Sequence, residues 1–252
     1  MNRRAIFMDI DGTLTDRASA PSSPVVDSLR RARDAGHLCL LCTGRSRAYI
    51  PKAFMAADYL DGYVAGSGSY VMFQGKMLHS VRVPRPILHR AVDLLMSEDR
   101  PFLLEGEEAL YGWHSQSAQY EITGAADFEQ RFPDAPITKL TVGGPLTPRI
   151  QKALSPWFSL YAMNHFFEAI LLGNTKATGM RMVLEAAGLS REDSVAIGDG
   201  PNDVPMLRWA GLGIAMGNAP EEVKTAARCV TRACAEDGVA YAIDRFIMTE
   251  TI

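Results

Sequence analysis

The sequence predicts an α/β protein in which a parallel-sheet domain is interrupted by a smaller α+β domain. Three observations carry this. Short apolar runs alternate with helical spacing from Arg4 to Ala65, the alternation stops near Pro84, and it resumes after Gly173. Strand–helix–strand order of this kind places helices on both faces of a parallel sheet, a doubly wound, Rossmann-like core.

Each element has its own reason. Arg4–Asp9 is a short β-prone apolar run that ends at a glycine turn. Pro24–Ala35 carries Val25, Leu29 and Ala32 on one helical face, and Gly36 stops it. His37–Thr43 reads as a buried strand, Ser46 as the N-cap of a short helix, and Tyr63–Ala65 as a third strand. The pattern then changes. Tyr70–Ser80 reads as a hairpin turning at Gln74-Gly75, and Pro84-Arg85-Pro86 as a linker. Beyond it come a helix at Ile87–Met96, strands near Phe102–Glu105 and Leu110–Trp113, and a helix near Asp127. A strand at Thr138–Val142, a helix near Arg149 and strands between Phe158 and Leu172 complete this segment. Its aromatic residues Trp113, Phe166 and Phe167 read as core, and His114 and His165 as structural histidines. Arg45 reads as the partner of an acid.

After Gly173 the alternation returns. Helices are expected at Lys176–Ala187 (stopped by Gly188), Asn202–Ala210, Pro220–Ala227 and Val239–Ile247. Strands are expected at Ser194–Gly198, Gly213–Met216 and Cys229–Thr231. The expected domains are therefore residues 1–83 with 173–252, and an inserted domain at 84–172.

Composition narrows the function. Apolar residues make up 47% and charged residues 22%, which excludes a disordered chain. The net charge of −3 gives no basic footprint for nucleic acid. No apolar run is long enough for a membrane span. Behind the basic Met1-Asn2-Arg3-Arg4, the run Ala5–Met8 is too short for a signal-peptide core, so a cytoplasmic chain is expected. No protein partner is legible. Cys39 and Cys42 have C-x-x-C spacing, but residues three apart on a strand point to opposite faces, so they read as a buried structural pair.

Four short motifs carry chemistry. Asp9-Ile10-Asp11-Gly12-Thr13 places two carboxylates at a strand end, where both can approach one metal and one substrate. Thr43-Gly44-Arg45 offers a hydroxyl and free backbone N–H groups suited to phosphate oxygens. Lys176 begins a helix and can neutralise a phosphate as a point charge. Gly198-Asp199-Gly200-Pro201-Asn202-Asp203 puts two acids four apart beside a Gly-Pro turn, a good hard-cation site. Singly, these are also a turn, a helix start, a surface lysine and an acidic loop with helix capping by Asn202 or Asp203. Jointly they are specific, because three follow strands of one parallel sheet, where such sheets bind ligands.

The order D-x-D-G-T, T-G-R, K, G-D-x-x-N-D resembles the haloacid dehalogenase superfamily. The insertion between the second and third motifs is similar to that of the Cof-type phosphatases. The resemblance covers nearly the whole chain, and Gly217–Lys224 and Glu236–Val239 match the C-terminal end of that group. It implies a hydrolase that removes phosphate from a small phosphorylated metabolite, a sugar phosphate being the typical substrate, with Mg²⁺ as cofactor. Asp9 would be the nucleophile, forming an aspartyl-phosphate, and Asp11 the general acid and base. Mg²⁺ would be held by Asp9, the Asp11 backbone carbonyl and Asp199, with Asp203 supporting it. Thr43, Gly44 and Lys176 would hold the phosphoryl group, and Asn202 would help position Lys176 or the phosphate. The inserted domain would act as a cap. Two departures stand out: Ser67-Gly68-Ser69 replaces the frequent Asn-Gly-Ala, and Lys176-Ala177 the frequent Lys-Gly. A phosphomutase using the same aspartyl-phosphate, and a non-catalytic binder of phosphorylated metabolites, are the alternatives. No phosphate loop of the nucleotide-triphosphate type is present, and Gly211, Gly213 and Gly217 miss the dinucleotide spacing.

Overall fold

The structure is a computed structural model that describes residues 3–16 and 20–248; Met1 and Asn2 of the basic N-terminus lie outside them. In chain order its elements begin β1 (Ala5–Met8), α1 (Ser23–Asp34), β2 (Leu38–Cys42), α2 (Lys52–Met55), β3 (Gly62–Ala65), β4 (Tyr70–Phe73) and β5 (Lys76–Ser80). Then come α3 (Arg85–Ser97), β6 (Phe102–Gly106), β7 (Leu110–Trp113), β8 (Tyr120–Glu121), α4 (Ala125–Arg131) and β9 (Ile137–Gly143). They are followed by α5 (Pro148–Leu154), β10 (Phe158–Ala162), β11 (Phe166–Leu171) and α6 (Lys176–Ala187). The chain closes with β12 (Ser194–Gly198), α7 (Val204–Trp209), β13 (Leu212–Ala215), α8 (Glu221–Ala226), β14 (Cys229–Val230) and α9 (Gly238–Phe246).

The chain forms two compact units. The first comprises the residues up to Gly44, Ile50–His79 and the residues from Thr175 on. Its sheet runs β14-β13-β12-β1-β2-β3-β4-β5, parallel from β14 to β3, with β4 antiparallel to β3. β1 and β2 are buried along their whole length, as strands covered on both faces must be. Val25, Leu29 and Ala32 of α1 and Val239, Ala242 and Ile243 of α9 pack one face. Met180, Val183 and Leu184 of α6 join Met206, Leu207 and Val223 on the other. Cys39 belongs to the first face and Cys42 to the second, as strand geometry requires.

The second unit comprises Arg45–Tyr49 and Ser80–Asn174. Its sheet runs β10-β11-β9-β6-β7-β8. Leu88, Leu95, Phe128, Ile150 and Leu154 from α3, α4 and α5 pack on one sheet face with Phe102, Leu104, Leu140 and Phe167. Alternation puts Glu105, Lys139 and Glu168 on the opposite face. Lys139 Nζ lies 3.3 Å from Glu105 Oε1 and also contacts Glu168, and both Lys139 and Glu105 are 1% exposed. Thr141 Oγ1 donates to Glu105 at 2.5 Å. The backbone N–H of Ser46 donates to the same carboxylate at 3.2 Å, which fastens the Arg45–Tyr49 segment to this unit.

Several local readings are corrected. Pro84-Arg85-Pro86 is the start of α3 rather than a linker, because proline in a first helical turn lacks only an N–H that would have no partner there. The Ser46 hydroxyl caps no helix; a 3₁₀ turn at Arg47–Tyr49 precedes α2. The helix expected from Asn202 is a 3₁₀ turn at Pro201–Asp203 followed by α7. Phe167 is core, but Phe166 is 39% exposed, and Trp113 stacks on Phe102 and His114. No helix among the described residues is long and apolar enough to cross a membrane.

Candidate active site

The site is built at the carboxyl ends of the parallel strands. Pairing aligns Met8 with Leu41 of β2 and with Ile197 of β12, so Asp9, Thr43 and Asp199 all leave the sheet at one edge. The Asp9 N–H still donates to the Ile197 carbonyl at 3.0 Å, and the Thr43 N–H to the Val64 carbonyl at 2.8 Å. Next to it, Ser67 N–H donates to the Thr43 carbonyl at 3.0 Å. Ser67 has φ 51°, a left-handed backbone. A Cβ on Gly68 would lie 2.8 Å from the Thr175 carbonyl carbon, so this loop abuts the residue that caps α6.

Thr175 caps α6 by accepting from the Thr178 N–H at 3.1 Å, and the Thr178 hydroxyl accepts from the Thr175 N–H at 2.9 Å. The cap sets Lys176 at the first helical position, fully buried rather than on the surface. Its ammonium donates to Asp9 Oδ1 at 2.7 Å and to Asp203 Oδ1. Asp203 is also fully buried. Its other oxygen accepts from the N–H groups of Asp199 and Gly200, each at 2.8 Å. Asp203 therefore holds its own loop instead of capping α7. Gly198 makes room for it, since a Cβ there would lie 2.5 Å from the Asp203 carboxyl carbon.

Asp199 is held by Thr13, whose hydroxyl donates to Oδ1 at 2.7 Å. Three carboxylate oxygens, one each from Asp9, Asp199 and Asp203, lie within 4.8 Å of one another. Burial pushes the Asp9 carboxyl well above its ordinary range; Lys176 opposes that, and Asp203 and Asp199 add to it. Burial and the Asp203 charge push Asp199 up to about 6, against the Thr13 hydrogen bond. Burial alone would lower the Lys176 pKa, but Asp203 and Asp9 raise it, so it stays an ammonium. Three crowded carboxylates with one ammonium are short of positive charge. An oxygen-only donor set of this kind fits a hard divalent cation such as Mg²⁺.

The other expected residues have these places. Asp11 is exposed on the first loop, two residues after Asp9, in a bridge with Thr15. Thr43 and Gly44 are buried at the end of β2. Asn202 is half-buried in the 3₁₀ turn beside Asp203. Two residues not singled out from the sequence also touch the cluster. Thr13 stood inside the first motif, and Asn218, in Gly217-Asn218-Ala219, donates to the Gly12 carbonyl at 2.9 Å.

Comparison with known proteins identifies the family. A family model described as haloacid dehalogenase-like hydrolase matches residues 6–141 and 146–243. The protein YkrA of Bacillus subtilis (strain 168) is 27% identical over 96% of this chain and 97% of its own. Pyridoxal phosphate phosphatase YbhA of Escherichia coli (strain K12) is 26% identical over 96% and 98%. Among solved structures, a phosphatase of the haloalkanoate enzyme superfamily from Bacteroides thetaiotaomicron superposes with a TM-score of 0.83 at 24% identity, covering 97% of this chain and 95% of that one. With the family model reaching all three segments of the first unit, which carries Asp9, Lys176, Asp199 and Asp203, the chain belongs to the haloacid dehalogenase-like hydrolases.

Proposed function

We propose that the protein is a Mg²⁺-dependent phosphatase that releases phosphate from a small phosphorylated metabolite, a sugar phosphate first among them. The observation that carries this is the Lys176 ammonium joining Asp9 to Asp203, with Asp199 in the same cluster. Pyridoxal phosphate, the substrate in the name of one relative, is a small phosphomonoester of this kind.

In this reading the Asp9 carboxylate attacks phosphorus, and the ester oxygen departs with a proton from Asp11. Asp11 then takes a proton from water, which hydrolyses the aspartyl-phosphate and frees Asp9 and phosphate. Lys176 orients Asp9 through Oδ1 and contributes positive charge where three phosphoryl oxygens gather. Thr43 and Gly44 hold those oxygens, and Asn202 helps position the Lys176 end of the site. Mg²⁺, held by Asp9, Asp199 and the Asp11 backbone carbonyl with support from Asp203, would offset the repulsion between carboxylate and phosphate. The second unit, spanning the expected insertion, would act as the cap that selects the leaving group.

The test is phosphate release from a panel of phosphorylated metabolites, with Mg²⁺ and with EDTA, for the wild type and Asp9→Asn. Mg²⁺-dependent release lost in the variant is expected. Release that survives in Asp9→Asn would overturn the mechanism.

A further inference from the structure

Asn218 lies outside the residues that carry chemistry above, yet its side chain ties three parts of the first unit together. It stands between β13 and α8. Its Oδ1 accepts the backbone N–H of Cys234 at 2.8 Å. A backbone N–H can only donate, so this bond settles which way round the amide sits. The Nδ2 end then faces the Gly12 carbonyl at 2.9 Å and Asp199 Oδ2 at 3.5 Å.

Asp199 thus meets a donor on each oxygen: Thr13 on Oδ1 at 2.7 Å and Asn218, more loosely, on Oδ2. Both donors also bear on one loop. Thr13 belongs to it, and Asn218 holds the carbonyl of Gly12, one residue after Asp11. The loop closes on itself through the Gly12 N–H to the Thr15 carbonyl at 2.7 Å and the Thr15 N–H to the Ile10 carbonyl at 2.9 Å. None of these bonds fixes it against Asp199. Thr13 does, through Oδ1, and Asn218 adds a longer contact through Oδ2.

We propose that Asn218 is a positioning residue for the cation site. Its two N–H groups set the plane of the Asp199 carboxylate and the path of the Asp9–Thr13 loop, so that the oxygen donors are arranged before a cation arrives. The inference rests on the phosphatase reading above. A merely structural role would be to tether the turn at Cys234, and the two make different predictions.

The experiment uses the full chain with Asn218→Ala and Asn218→Leu, the second preserving side-chain bulk. Mg²⁺ is titrated calorimetrically without substrate, p-nitrophenyl phosphate turnover gives kcat and KM, and urea midpoints report stability. Both variants are expected to bind Mg²⁺ about 10- to 100-fold more weakly, with kcat lowered and KM for the ester nearly unchanged. Wild-type Mg²⁺ affinity and kcat in both variants, with a lowered urea midpoint alone, would leave only the tether and overturn the proposal. If the wild type neither binds Mg²⁺ nor turns over the ester, the phosphatase reading falls and this inference with it. The wild type's own behaviour separates that outcome from failure of the inference alone.

Discussion

Gly12 and Asp199 are packed so that a methyl group on the one would lie 2.7 Å from the carboxyl carbon of the other. Gly12 also has φ +79°, a backbone that side chains rarely adopt. Two independent demands therefore fall on one position. Gly12→Ala is expected to lose about 1–3 kcal/mol of stability from backbone strain. It should also push Asp199 away from Thr13 and Asn218. Calorimetry should show weaker Mg²⁺ binding than any stability loss accounts for. Full Mg²⁺ affinity in Gly12→Ala would mean that Asp199 has room to move without cost.

Lys176 is the counter-charge of two buried carboxylates, and removing it leaves both facing each other. Lys176→Met is expected to cost about 3–5 kcal/mol at neutral pH, read from urea midpoints. Asp203→Asn in that background should restore part of it, since two carboxylates of the cluster, Asp9 and Asp199, then remain where three repelled. Activity should not return, because the phosphoryl site still lacks its ammonium; a loss of at least about 100-fold is expected. A double variant as unstable as Lys176→Met would show that the coupling lies elsewhere.

Most of the sheet was legible because its strands are apolar on both faces and end in Gly, Asp or Thr. The cluster of Asp9, Lys176, Asp199 and Asp203 was legible as motifs, but its geometry was not. Lys176 looks like a surface residue in sequence because its burial depends on the Thr175 cap and on two acids distant along the chain. Asn218 gave no chemical signal, since an asparagine in a turn is ordinary and its partners are a carbonyl and an N–H from remote loops. The attachment of Arg45–Tyr49 to the second unit depends on the buried Glu105, which alternation marks as facing away from the core without saying what it meets.

Cys39 and Cys42 are fully buried on opposite sheet faces, and their chemistry follows from that. Burial, with the nearby Asp61 charge, pushes the Cys39 thiol up to about 12, and burial raises Cys42 as well. At pH 8 a thiol shifted that far presents roughly a thousandfold less thiolate than a free one. A thiol reagent at that pH should leave both unmodified in the native protein and label all four cysteines after unfolding. Rapid labelling of Cys39 in the native protein would contradict the buried-pair reading.

His37 gives the first unit a dependence on pH of known sign. The ring is 3% exposed, its Nδ1 accepts the Arg4 N–H at 3.1 Å, and its Nε2 has no partner. Burial, with the Arg4 charge, lowers its pKa from the ordinary 6.5. The unfolded chain therefore binds a proton that the folded chain refuses, and stability must fall as pH drops below 6.5 toward the lowered folded value. Above that window the histidine is neutral in both states and contributes no slope. His37→Asn keeps an acceptor for Arg4 but cannot take the proton. Urea midpoints at pH 7.5 and 5.5 should therefore fall further in the wild type than in the variant. Asp199, whose pKa is raised, works in the opposite direction over part of this range, but it is common to both proteins and cancels in the comparison. Equal falls in the two proteins would mean that the folded state tolerates a protonated His37, and the buried ring would then need a partner that its present contacts do not supply.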